Sequence, residues 1–391
     1  MTAKLASNKR LAGLDTLRAL AIVAVMGFHL RNFLPESWSP VTTFGWAGVD
    51  LFFVLSGYLI GAQLLKPLRA GRKLSFGAFY RNRAYRILPV YLVVLALYLL
   101  WPAWREERSL SPLWQFLTFT ENLFVDYSRN EAFSHVWSLC VEEHFYLLLP
   151  VVVLLLSRRP ALWKTVAVLS SLVAFGVAIR SFELCHVLRP LGAGNDGYGV
   201  TYIERIYYPT YARLDGLIAG VALALVRTYR PTWWAALLAR ANWLLAGGTA
   251  LTGLALWMFA DRFDSATGVA AAGTIVGFPI LALGLAMWVA AAAEPRCWFG
   301  RMQIPGARTV SMLAYSLYLT HKEVAHLDAS YLPRWTAGRD WHTIVFVVPT
   351  CMAVAGLLYV TVERPFLRLR DRRMGRSTHL VDVEARAEPA L

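Results

Sequence analysis

Asp15, Arg18 and His29 stand inside the otherwise apolar run "LDTLRALAIVAVMGFHL", residues 14–30. An Arg or Asp at the centre of a lipid-spanning helix costs about 2.5–3.5 kcal/mol on insertion scales, so such groups usually face a polar interior and serve a function. Eleven residues turn an α-helix back to within about 20° of its starting direction, with a rise of ~16 Å. Arg18 and His29 therefore share one face, and Asp15, three residues before Arg18, is placed to pair with it. A neutral imidazole, titrating near ~6.5, can take a proton from a hydroxyl at physiological pH. The chemistry on offer is proton transfer and anion binding inside a membrane. The plainer reading is a snorkelling arginine and an interfacial histidine.

Further polar residues interrupt later apolar runs. "GWAGVDLFFVLSGYLIG" carries Asp50 in its outer third and Ser56 near its middle, while Gly57 and Gly61 suit close helix packing. In "KPLRAGRKLSFGAFYRNRAYRILP", Arg83 and Arg86 are spaced by three, on one face at the expected start of a third helix. Such a pair can grip phosphate, although a basic loop is also an ordinary topological signal. "SHVWSLCVEEHFYLLLP" brings Trp137, Ser138, Glu142, Glu143 and His144 into one span. Adjacent Glu142 and Glu143 point about 100° apart, so they cannot both face one site. "YYPTYARLDGLIAG" adds Arg213 and Asp215, and "AYSLYLTHKEV" places Tyr318 and His321 three residues apart.

The elements that must position these residues are membrane spans. The chain has 391 residues, of which 57% are hydrophobic and 16% charged, against about 25% charged in soluble proteins. Ten apolar spans are expected at 12–30, 44–63, 86–104, 136–156, 162–179, 207–226, 241–259, 268–292, 309–325 and 342–362. Most Lys and Arg fall in alternate inter-span segments, which puts both termini in the cytoplasm. The fold class is all-α, a polytopic membrane helix bundle over residues 1–370 with a short, disordered polar tail at 371–391. The net charge of +14 follows this topology, so nucleic acid is not an expected partner. Cys140, Cys185, Cys297 and Cys351 lack metal-ligand spacing, and neither a disulfide framework nor a metal site is expected. The first apolar run reads as a retained helix, because Arg18 interrupts it and no small-residue cleavage site follows. No appended soluble domain is expected at either end.

Across these residues the chain resembles the acyltransferase-3 family of bacterial integral-membrane O-acyltransferases, from about Leu11 to Leu369. The resemblance rests on ordered motifs: Arg18-x10-His29, "GVDLFFVLSGYLI", "RAYRILP", "WSLCVEEHFYLLLP", "ARLDGLIAG", "YSLYLTH" and "VERPF". It implies an inner-membrane enzyme moving an acyl group, by default acetyl, from acyl-CoA as co-substrate, with no permanently bound cofactor. The acceptor would be a hydroxyl on a glycan, a lipid-linked sugar or a small molecule such as a macrolide. It further implies that His29 is the essential histidine with Arg18 its partner, and that Arg83 and Arg86 bind the donor. Asp50, Ser56, Glu142 and Glu143 fall in motifs that line the family's site. One departure is Asn82, where the family often has a second arginine beside Arg83. His29 is expected to act as base, its ring oriented by Glu142 or Asp50, or else to carry the acyl group. A secondary transporter using the same charges as a relay is the competing class, weakened by the lack of a visible span-scale repeat.

Overall fold

The computed structural model describes residues 12–158, 161–192, 194–260, 271–295, 297–302 and 304–373. Apart from residues 371–373, the expected polar tail lies outside them. Among the described residues the chain is helical, and extended backbone pairs only in an isolated bridge between Leu110 and Ala132. The long helices are α1 (Ala12–His29), α2 (Ala47–Arg69), α3 (Phe76–Leu100), α4 (Trp137–Arg158), α5 (Leu162–Glu183), α6 (Asp215–Tyr229), α7 (Ala241–Met258), α8 (Phe278–Ala292), α9 (Ala307–Tyr331) and α10 (Trp341–Leu358). Among the described residues, seven helical segments are long and apolar enough to cross a membrane. These coincide with seven of the ten expected spans, while the segments 207–226, 241–259 and 309–325 hold α6, α7 and α9, which are not among the seven; the chain is a multi-pass membrane protein.

Three of the boundaries that differ from the sequence expectation bear on candidate-site residues, each for a local reason. Helix α3 starts at Phe76, ten residues early, because Ser75 caps it by accepting a hydrogen bond from the Ala78 N–H at 3.3 Å. Arg83 and Arg86 therefore lie well inside a helix rather than at its start. The expected span 207–226 is helical only from Asp215, since Pro209 cannot donate a backbone hydrogen bond and is followed by a single 3-10 turn, Thr210–Ala212. Arg213 consequently sits just ahead of α6, and Asp215 in its first turn, where a carboxylate complements the helix dipole. Finally, α5 runs on to Glu183, so Arg180, expected in an external loop, belongs to a helix and is wholly buried.

The described residues form two compact units, one from those within 12–31, 36–74 and 107–314, the other from those within 32–35, 75–106 and 315–373. In the first, α2 lies against α6 through small residues. A Cβ on Gly57 would come within 2.1 Å of the Leu217 carbonyl oxygen, and one on Gly220 within 2.2 Å of the Val54 carbonyl oxygen. Lipid tails give no hydrophobic drive between helices, so close backbone approach through such residues holds the pair by dispersion. Gly220→Leu is expected to destabilise the protein by about 3 kcal/mol or more, since a backbone oxygen cannot step aside. Loss of the monodisperse peak in detergent gel filtration would register it; a wild-type profile would refute the packing.

In the second unit, α3 presents Tyr98, whose hydroxyl bridges Glu106, at 2.7 Å, and Glu323 of α9. Lys322 completes the cluster by pairing with Glu106 at 2.9 Å. Burial favours the neutral form of Glu106, but the Lys322 ammonium and the Tyr98 hydroxyl hold its carboxyl below the usual value.

Candidate active site

Helix α4 carries the polar face of the first unit. Ahead of it, Phe133 adopts a left-handed backbone (φ 62°), which turns the chain into the 3-10 turn Ser134–Val136 and then into α4. His135 rides on that turn. Seven residues return a helix to nearly the same direction, and four more add about 40°, so His135, Ser138, Glu142 and Tyr146 align along one side.

Opposite this face stand residues from α1 and α2. The His29 ring lies edge-on to that of His135, with centroids 6.2 Å apart and planes at 61°. His29, the last residue of α1, is half-buried; His135 is only 2% exposed and packs against Phe133 at 5.3 Å. Further along α4, Tyr146 donates to Glu142 Oε2 at 2.7 Å and bonds to the Ser56 hydroxyl of α2. A phenol has one proton, so with Glu142 ionised the Ser56 hydroxyl is the donor to Tyr146. Ser56 of α2 and Glu142 of α4 are thus brought together through Tyr146.

Asp50 and Arg213 also meet, at 2.8 Å, both buried. The Arg213 guanidinium carbon lies 4.0 Å from the Phe278 ring centroid, 4.5 Å from Tyr207 and 5.2 Å from Trp137. Arg180 makes a second buried pair with Asp215, through two bonds of 2.8 and 3.2 Å, and lies over the same Phe278 ring at 5.3 Å. Two cations and two carboxylates thus neutralise each other around one aromatic ring. Asp50 is committed to this cluster, whereas the ring contacts described for His29 are with Phe28 and His135.

At the other end of α1, Arg18 pairs with Asp15 at 3.3 Å, as the spacing of three suggested, and Asp15 also accepts from Ser311 at 3.3 Å. Ser138 is buried on the α4 face, and Glu143 is half-buried off it. His144 bonds through Nδ1 to Thr210 at 2.7 Å, and Asn122 donates to that same Thr210 hydroxyl at 2.8 Å.

In the second unit, Arg86 lies within electrostatic reach of Glu363, whose carboxylate accepts from Ser316 at 2.9 Å. This joins the "RAYRILP" and "VERPF" motifs. His321 is fully buried and uses Nδ1 on the Leu317 carbonyl at 2.8 Å, with Tyr318 at a ring distance of 6.3 Å. Sequence reasoning missed His135, Tyr146 and Arg180 as site-building residues.

Glu121, on the short helix Glu121–Phe124 between α3 and α4, is a buried outlier. It is 0% exposed, and neither carboxylate oxygen meets a hydrogen-bond donor among the described residues. Burial pushes its carboxyl well above the usual range. The unfolded chain releases this proton near ~4.3 and the folded protein only at higher pH, so stability falls by about 1.4 kcal/mol per pH unit between the two. Glu121→Gln is expected to remove that slope, raising the melting temperature relative to wild type at pH 8 more than at pH 5. Parallel melting curves across this range would contradict it.

Residues 11–362 match the family model described as "Acyltransferase domain". The chain belongs to the acyltransferase-3 family. Among curated relatives, the peptidoglycan O-acetyltransferase OatA of Listeria monocytogenes is 30% identical over 56% of this chain and 34% of its own length. "Putative peptidoglycan O-acetyltransferase YrhL" of Bacillus subtilis is 26% identical over 92% of this chain and 55% of its own. The O-acetyltransferase OatA of Staphylococcus aureus is 28% identical over 57% and 36% respectively. The acyltransferase-3 chain described here therefore spans between about a third and just over half of the length of these relatives. No solved structure matches it.

Proposed function

We propose that this acyltransferase moves an acyl group, acetyl by default, from acyl-CoA to a hydroxyl of an extracytoplasmic glycan, with His29 as general base. The carrying observation is the half-buried His29 ring set against the α4 face that bears His135 and Glu142. A hydroxyl becomes nucleophilic as its proton leaves, and a neutral imidazole within hydrogen-bond reach contributes typically 10²–10⁴-fold to such a step. The names of the relatives, which specify peptidoglycan O-acetylation, favour a glycan over a macrolide-like acceptor. Arg83 and Arg86 are assigned to the phosphates of the donor, since planar guanidinium groups match phosphate oxygens two at a time. Arg18, towards the cytoplasmic end of α1, is assigned to balancing charge along the donor's path.

The test is turnover of purified protein in nanodiscs with labelled acetyl-CoA and a panel of acceptors: glycan-strand fragments, a lipid-linked sugar and a macrolide. Label on a glycan hydroxyl with matching CoA release supports the assignment. Label on the macrolide alone would move the acceptor to a small molecule, and no transfer to any of the three would overturn the reading.

A further inference from the structure

Acyl transfer from a thioester needs two proton movements, one from the attacking hydroxyl and one to the departing sulfur. The reading of His29 as base accounts only for the first. Within reach of it is a second imidazole that the sequence reading left unassigned. His135 is 2% exposed, sits on the turn that starts α4, and holds its ring edge-on to that of His29 with 6.2 Å between centroids. Phe133, in its left-handed conformation, packs on the His135 ring at 5.3 Å and fixes its direction.

That separation has chemical content. Two imidazoles so close cannot readily both carry charge, so a proton held by one ring leaves the other neutral. An attacking oxygen and a leaving sulfur on one carbonyl carbon lie close enough for each to reach a different ring. The half-buried His29 ring can be reached by an acceptor arriving by diffusion, while His135 is sealed beside it.

Resting on the acyl-transfer reading above, we infer that His135 is the general acid of the reaction, protonating the leaving thiolate while His29 accepts the acceptor's proton. In the step, the acceptor oxygen forms a bond to the acyl carbon as its proton passes to His29 Nδ1 or Nε2. The carbon–sulfur bond breaks, and the sulfur takes the proton held on His135. The products are an ester and a free thiol, His29 ends protonated and His135 neutral, and one proton passing from His29 to His135 restores the starting state. No oxidant, reductant or further reactant is needed.

The test separates acid from base by the leaving group. Wild type, His29→Ala, His135→Gln and His135→Phe are assayed with acetyl-CoA and with p-nitrophenyl acetate, whose phenolate leaves without an acid. His135→Gln keeps the volume and polarity of the site and guards against simple misfolding. Both His135 variants are expected to lose about 10²-fold or more in kcat with acetyl-CoA while staying within about threefold of wild type with p-nitrophenyl acetate. His29→Ala is expected to fall with both donors. Equal losses of the His135 variants with both donors would overturn the acid role, as would wild-type rates with acetyl-CoA in His135→Gln. Wild-type protein inert with both donors would instead fail the acyl-transfer reading itself.

Discussion

His29→Ala is expected to reduce acetyl transfer by about 10²–10⁴-fold, the range of a positioned general base, while leaving the protein folded. The residue ends α1, is half-buried, and its described ring contacts are with Phe28 and His135. At a half-buried helix end its removal creates no large sealed cavity. Donor binding is assigned to Arg83 and Arg86, so the dissociation constant for acetyl-CoA should be nearly unchanged. The loss should appear in kcat at saturating donor. Transfer at wild-type rate in this variant would end the assignment of His29, whether as base or as acyl carrier.

Breaking the Asp50–Arg213 pair is expected to have the largest effect on stability. Both groups are nearly inaccessible, and the guanidinium is enclosed by Phe278, Tyr207 and Trp137. Replacing Arg213 by Leu leaves the Asp50 carboxylate buried without its cation. Deleting one partner of such a pair costs about 3–5 kcal/mol, whereas replacing both by apolar groups of similar volume is often neutral or stabilising. Arg213→Leu and Asp50→Leu alone should thus melt well below wild type in detergent. The double variant Asp50→Leu/Arg213→Leu should recover most of the loss, because α2 and the segment before α6 would then share an apolar contact. Additive losses in the double variant would show that the pair is not an isolated electrostatic unit. Arg180 and Asp215 share the Phe278 ring with this pair, so coupling to them would be the next quantity to measure.

Much of this arrangement was legible in the sequence where the deciding interaction is local. Asp15 and Arg18 pair because three residues separate them on one helix. The glycines of "SGYLIG" read as a packing face, and Gly57 indeed closes α2 onto α6. The all-α membrane bundle follows from apolar run lengths alone. What was not legible depends on which helices become neighbours. Arg180 looked like a loop residue because the apolar run ends beside it, yet it is buried by a bidentate bond to Asp215, 35 positions away. His135 stands just ahead of the run that forms α4, so neither span prediction nor helical phase pointed to His29, 106 positions earlier. Tyr146 read as one more aromatic in an apolar helix until its hydroxyl was seen to join Glu142 and Ser56. The start of α3 moved because a single serine cap outweighs the hydropathy boundary.

In the proposed reaction an acyl group passes from a cytoplasmic donor to an acceptor served at the outer end of α1. Sided proteoliposomes test it most directly. Labelled acetyl-CoA is sealed inside vesicles of purified protein and a glycan fragment is supplied only outside, with orientation fixed by capture on the cytoplasmic face. Labelled glycan should appear outside, and should fail to appear when His29 is alanine. Product formed only when donor and acceptor share one compartment would contradict the account.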